Sequence, residues 1–331
     1  MALTLVEAAK YSNDILQVGV IEKLVYQDPI FEKLQFKDIK GNGLTYNIEA
    51  TLSGAGWYAV GDTWEETTST IGQATAVTTI LGGDADVDNF LQATRSDVQD
   101  LMTEQITAKI KAIKKKFMDM FYYGYTTVDT KGFNGIQALI ISSTSPYANT
   151  VAVATTSGTA LLLSMERLEK AVDLVKSGES DLIAMSKAMR RSINKYLHGV
   201  GGITYVDAAN GRIQTLFGLP VIVSDYISDD EDATTQYGTD ESAAAVYGHS
   251  YTDGTPMATA SDLATSIFVL QFAPDAVCGI QSLPITTEKL GSLETKDAER
   301  VRIKWYPGLM LQNIVTSAKV TGILVAGAVA A

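Results

Sequence analysis

The sequence predicts an α+β chain made of an N-terminal arm, an extended β-hairpin, one long helix and a C-terminal α/β domain. Three observations carry that expectation. Between residues 41 and 86, glycines and threonines separate short β-type runs at 44–50 and 74–81, the texture of a long hairpin. Residues 88–123 contain no Gly or Pro and place Val98, Met102, Ile106, Ile110, Ile113, Phe117 and Met120 at spacings of three and four, the period of an amphipathic helix. The second half then alternates helical and strand-like segments.

Residues 1–40 show helical apolar spacing (Leu5, Ala8, Ala9; Ile15, Leu16, Val20, Leu24), then an extended stretch opened by Asp28-Pro29. They form an arm with little core of its own. The hairpin of 41–86 has a glycine-rich tip around 53–61 that carries Trp57 and Tyr58, with Trp64 just beyond. A lone two-stranded hairpin is marginal in water, so this one needs another surface to lie on. The helix opens a unit spanning 87–160 and would run about 50 Å. Its acidic start (Asp84, Asp86, Asp88) and basic second half (Lys109, Lys111, Lys114, Lys115, Lys116) suit the helix macrodipole.

The α/β domain is expected over 161–284. It contains a helix at 165–176, a strand at 182–185, a helix at 187–197 capped by Ser186, and strands at 203–206, 213–216 and 221–225. Residues 228–262 are acidic and poor in large apolar side chains, which marks a surface insertion; strands at 267–272 and 276–280 resume the sheet. Within 285–317, Val301, Ile303 and Trp305 alternate with Arg300, Arg302 and Lys304, a half-buried strand with a basic outer face, and 318–331 supply a last strand.

Composition narrows the function classes. With 331 residues and 46% hydrophobic content the chain can bury a large core. No apolar run reaches the roughly 18 residues of a membrane helix, and no secretory leader is evident, so a cytosolic protein without membrane contact is expected. Cys278 is the sole cysteine, which excludes an intrachain disulfide. The net charge of -12, with no Lys or Arg from 41 to 94 or from 213 to 288, argues against sequence-specific DNA binding. There is no phosphate-binding loop, and the two histidines, His198 and His249, lie far apart without a metal-ligand pattern. The segment Gly248-His249-Ser250-Tyr251-Thr252 lacks the closing glycine of a serine-nucleophile elbow. Asp84, Asp86 and Asp88 have the spacing that opens a calcium loop, but Asn89 and Arg95 stand where its glycine and bidentate acid belong. No catalytic, cofactor-binding or metal residue is therefore expected, and the chain is read as a non-enzyme.

The order of arm, hairpin, beam-like helix and α/β domain resembles the tailed double-stranded DNA bacteriophage major capsid proteins of the Hong Kong 97 fold. Shorter segments carry the same resemblance: Gly132-Phe133-Asn134-Gly135-Ile136 after the long helix, Ala184-Met185-Ser186 before a helix bearing Arg190-Arg191, then Gly218-Leu219-Pro220-Val221 and Val223-Ser224-Asp225. Further matches are 300–308 and 318–322. The resemblance implies an E-loop hairpin, a spine helix in a peripheral P-domain and an axial A domain. It implies a homo-oligomer of hexamers and pentamers in an icosahedral head, assembled in the host cytoplasm as a procapsid and matured into the virion capsid. A separate scaffolding protein and a portal are the partners expected with it, a decoration protein is an optional further one, and packaged DNA is contacted non-specifically.

On that basis Trp57, Tyr58 and Trp64 are expected to pack on a neighbouring subunit, with Lys109, Lys111, Lys114, Lys115 and Lys116 neutralising Asp62, Glu65 and Glu66 of an adjacent hairpin. Some family members cross-link covalently through a hairpin lysine. This hairpin has none, so a shell without such links is expected. Two alternatives remain: an encapsulin-like nanocompartment shell, and a cytosolic α/β enzyme.

Overall fold

The computed structural model describes residues 29–51, 53–95, 101–126, 129–140, 149–153, 161–176, 180–200, 202, 204–208, 211–229, 231–232, 263–325 and 329. The arm residues 1–28, Val98, the body of the acidic insertion (233–262, with His249) and most of the last few residues lie outside that set.

Two sheets and a hairpin organise the chain. The first sheet has the order β1-β12-β13-β4, from Phe36–Asp38 (β1), Val277–Ser292 (β12), Ala298–Leu311 (β13) and Leu81–Asp88 (β4). The second runs β5-β14-β11-β6-β9-β8-β7, with β10 on β11. Its strands are Thr150–Ala152 (β5), Leu182–Met185 (β6), Thr204–Ala208 (β7), Gly211–Leu216 (β8), Leu219–Val223 (β9), Glu231–Asp232 (β10), Leu263–Leu270 (β11) and Ala318–Leu324 (β14). The hairpin pairs Gly43–Thr51 (β2) with Thr70–Val77 (β3).

The hairpin is shorter than 41–86. Its strands close at Val77, and β4 leaves it to pair antiparallel with β13. The reason is the alternation inside β4: Ala85 and Val87 are buried, whereas Asp84 and Asp86 lie opposite Arg302 and Arg300. Those two aspartates are therefore cross-strand partners and not the first acids of the long helix. Asp88 alone keeps that role, accepting from the backbone N–H of Phe90 at 2.9 Å as Asn89–Arg95 (α2) begins.

The short helix Pro29–Lys33 (α1) precedes β1. Leu101–Tyr123 (α3) forms the long helix's described core, about 35 Å of it; residues 96–100 between α2 and α3 are not described. The buried stripe of α3 (Ile113, Phe117, Phe121) packs on Ile30, Leu34, Ile303 and Trp305, with the Phe117 and Trp305 rings 4.7 Å apart. At its C-terminal end, the turn before Ile136–Leu139 (α4) folds back on the helix. Gly135 N–H donates to Gly124 O at 2.8 Å, and a Cβ on Gly135 would sit 2.4 Å from Met120 O. Only glycine allows that approach.

The axial sheet has a core on each side. Leu182, Ala184, Phe268 and Leu270 face α3, while Ile183, Met185, Ile267 and Val269 face Met165–Asp173 (α5) and Lys187–Val200 (α6). Burial on both faces explains why β6 reads as a continuous apolar run. Ser186 caps α6, accepting from Met189 N–H at 3.2 Å. β6 and β9 run parallel, Ile183 opposite Val221, and β8 turns into β9 through Phe217 (φ 52) and Gly218 (φ 82), the left-handed pair that a tight type I′ turn requires.

Candidate functional site

Among the described residues, the hairpin meets the rest of its chain at the base. There Leu44, Tyr46 and Ala76 meet Cys278, Ile280 and Met310, and Tyr46 OH donates to Leu311 O at 3.0 Å. Beyond Thr70 the chain runs out to a tip where Trp57 is 104% and Val60 108% exposed, and Trp64 and Ile71 are exposed as well. The tip nevertheless has a defined shape. Tyr58 and Trp64 stack with ring centroids 4.5 Å apart. Ala59 N–H donates to Asp62 Oδ2 at 2.6 Å, Glu65 N–H to Tyr58 OH at 3.2 Å, and Thr67 Oγ1 to Gly54 O at 3.0 Å. Gly61 (φ 100) supplies the left-handed residue of the Ala59–Asp62 turn.

The tip thus brings together Trp57, Tyr58, Asp62, Trp64, Glu65 and Glu66, but in different ways. Tyr58, Asp62 and Trp64 hold the loop's shape, and Trp57 with Val60 projects from it. Asp62, Glu65 and Glu66 meet no cation of their own chain among the described residues. On α3, Lys111, Lys115 and Lys116 are exposed. Lys109 lies over β4, where a Cβ on Gly83 would come within 2.8 Å of its Cε, and Lys114 Nζ stands 5.4 Å from the centre of the Phe31 ring.

A second charged arrangement stiffens the peripheral sheet. Arg300 grips Asp86 with two nitrogens at 2.6 and 2.7 Å, and Arg302 grips Asp84 at 2.7 and 2.9 Å; Lys304 pairs with Glu288. The basic outer face of β13 is thereby neutralised from both neighbouring strands. The Arg300 guanidinium, assisted by Lys296 and opposed by burial, lowers the Asp86 carboxyl to about 2. Its contribution to stability is present above the ordinary carboxylate range and is lost as pH falls from about 4 toward about 2.

Sequence reasoning missed a third site, where the end of α3 and α4 meet the second sheet. Glu231, expected on a solvated acidic loop, is 3% exposed. Its carboxylate accepts from Tyr123 OH at 2.6 Å and Ser266 Oγ at 2.5 Å, and Tyr123 OH in turn accepts from Ser228 N–H at 2.8 Å. Beside it Lys319 is 1% exposed, donating to Gln137 O at 2.7 Å. Burial lowers the Lys319 pKa to about 7, against the opposing pull of Glu231. The cluster ties the end of α3 and α4 to β11, β14 and the neck of the acidic insertion, where β10 pairs with β11. Among the described residues no three His, Cys, Asp or Glu side chains gather as a metal site, and no helix is long and apolar enough to cross a membrane.

The family model described as the phage capsid family matches residues 13–248. The chain belongs to that family. Among solved structures, the capsid chain is similar to the holo-SrpI encapsulin complex of Synechococcus elongatus PCC 7942 (14% identity, 99% of this chain and 98% of that one, TM-score 0.65). It is also similar to the capsid of a native GTA particle (13%, 97% and 100%, TM-score 0.63) and to a chain of Mycobacterium phage Bobi (12%, 97% and 98%, TM-score 0.59). At such identities the likeness establishes the fold, which is of the Hong Kong 97 type over nearly the whole chain. No curated protein matches the sequence at a significant level.

Proposed function

We infer that this capsid-family chain is the major shell subunit of a tailed-phage head, assembling through six- and five-membered rings into an icosahedral container for double-stranded DNA. Beside family membership, the observation that carries the reading is the hairpin: a shaped, aromatic tip held out from the subunit, with Trp57 wholly uncovered. Aromatic side chains of that size supply much of the binding energy where they become buried between proteins. A neighbouring copy is the natural cover. Exposed pairs between the hairpin acids and the α3 lysines of that neighbour are worth about 0–1 kcal/mol each, so salt loosens the particle without dissolving it. Scaffold and portal are separate chains in this account, and the acidic wall contacts packaged DNA without gripping it.

An encapsulin-like compartment is the second reading, favoured by the likeness over 99% of the chain to an encapsulin complex. Particle contents separate the two: nuclease-protected DNA for a phage head, packaged protein for a compartment. Assembly itself is tested by light scattering on the purified chain, followed by a denaturing gel. Large particles that resolve into a single band near 35.5 kDa are expected, because the hairpin carries no lysine for a covalent link. A monomer as the only species at every salt and protein concentration would overturn the proposal.

A further inference from the structure

Helices α5 and α6 cover the same face of the axial sheet, through Leu168 and Ala171 on one and Met189, Ile193 and Leu197 on the other. They sit at opposite flanks of it. α5 packs over β14 and β5, at one end of the strand order, while α6 reaches β8 toward the other end, where Gln214 Nε2 donates to Asn194 Oδ1 at 2.5 Å.

Their outward surfaces carry opposite charge. On α5, Glu166, Glu169 and Asp173 stand at i, i+3 and i+7 and form one exposed stripe. On α6, Arg190, Arg191 and Lys195 are exposed. None of these six side chains has an ion-pair or hydrogen-bond partner among the described residues. Lys170, four residues after Glu166, forms no ion pair with it, and Lys187 is already engaged by Asp225 at 2.6 Å. The peripheral sheet pairs its carboxylates within the chain, whereas this layer sets three exposed acids beside the single exposed base Lys170 on the α5 flank and bases without acids on α6.

Resting on the reading of the chain as a ring-forming shell subunit, we propose that the acidic stripe of α5 on one subunit docks against the basic stripe of α6 on the next around each ring. Two different, complementary patches on opposite flanks are what a head-to-tail contact needs in order to close a ring, and a self-complementary patch would give only a two-fold pair. The charges set register and direction of the contact, and mismatched neighbours meet like charge.

The test uses the full chain in two double variants, Glu166→Lys with Glu169→Lys, and Arg190→Glu with Arg191→Glu. Each alone should lower the assembled fraction by about tenfold at moderate salt, with the circular dichroism of the subunit unchanged. Combining all four substitutions in one chain should restore assembly. Mixing the two double variants should restore six-membered rings, in which they alternate, but not five-membered ones, in which an odd count forces two like stripes together. Unimpaired assembly of either double variant, or defects that neither combination repairs, would overturn the contact while leaving the shell reading intact. Failure of the unaltered chain to assemble would instead remove the reading on which the contact rests, and the contact with it.

Discussion

Replacing Glu231 by Ala should cost about 3–5 kcal/mol of stability, the usual penalty for breaking one side of a buried charge cluster. The change leaves Tyr123 OH and Ser266 Oγ without their acceptor and removes the negative charge that favours the Lys319 ammonium in a fully buried site. Glu231→Gln keeps one of the two acceptor contacts through its amide oxygen and sets an NH2 donor at the other hydroxyl, whose oxygen can accept from it, so it should lose less. Calorimetry of the two variants beside the unaltered chain measures this; a Glu231→Ala variant within about 0.5 kcal/mol of the parent would refute it. The same cluster fixes a pH dependence. The Lys319 pKa is about 7 in the folded chain and near 10.4 when unfolded, so the unfolded state binds more protons between those values. Stability should therefore climb from about pH 7 to about pH 10, by at most ~1.4 kcal/mol per unit, and fall back as pH drops through that window. Lys319→Met should remove this component of the slope.

The second large effect concerns Trp57. Trp57→Ala should abolish or severely weaken assembly, because a central aromatic anchor typically contributes about 2 kcal/mol or more to a contact, and every subunit in a shell repeats it. The folded subunit should be unaffected, since Trp57 lies outside the core of the described residues and is fully exposed. Trp64→Ala should impair assembly by another route, unstacking Tyr58 and releasing the tip's shape. Fluorescence distinguishes the two tryptophans. In a Trp64→Phe background, Trp57 emission should shift to the blue on assembly, while Trp305, 2% exposed in the subunit, stays constant. Emission from Trp57 that remains typical of water in finished particles would show that the hairpin tip is not an interface.

Much of the fold was legible because periodicity survives where one face is buried. The 3.6-residue spacing of Ile113, Phe117 and Phe121 and the two-residue alternation of Val301, Ile303 and Trp305 both correspond to one-sided burial in the structure. Where both faces are covered, the pattern is silent. β14 is buried on both sides, so Lys319, which alternation alone would turn outward, lies inside. The partners of charged residues were also illegible. Asp84 and Asp86 precede a helix in sequence, and only the sheet order brings them to Arg302 and Arg300, more than two hundred residues away. Glu231 sits in an acidic stretch whose composition announces solvent, yet its position beside Ala264 in the β10–β11 pair turns it toward Tyr123. The hairpin tip was recognised from its aromatics, but the division between Trp57, which is exposed, and the stacked Tyr58 and Trp64, which shape the loop, depends on geometry that spacing does not encode.

The central claim, that this chain is a shell-building subunit whose hairpin is completed by a neighbour, is tested most directly by electron cryo-microscopy of the purified protein. The account predicts closed particles with six- and five-membered rings, in which density for the tip at Trp57 and Val60 lies against an adjacent subunit. Particles in which each hairpin folds back onto its own chain, or a preparation containing only isolated subunits, would contradict it.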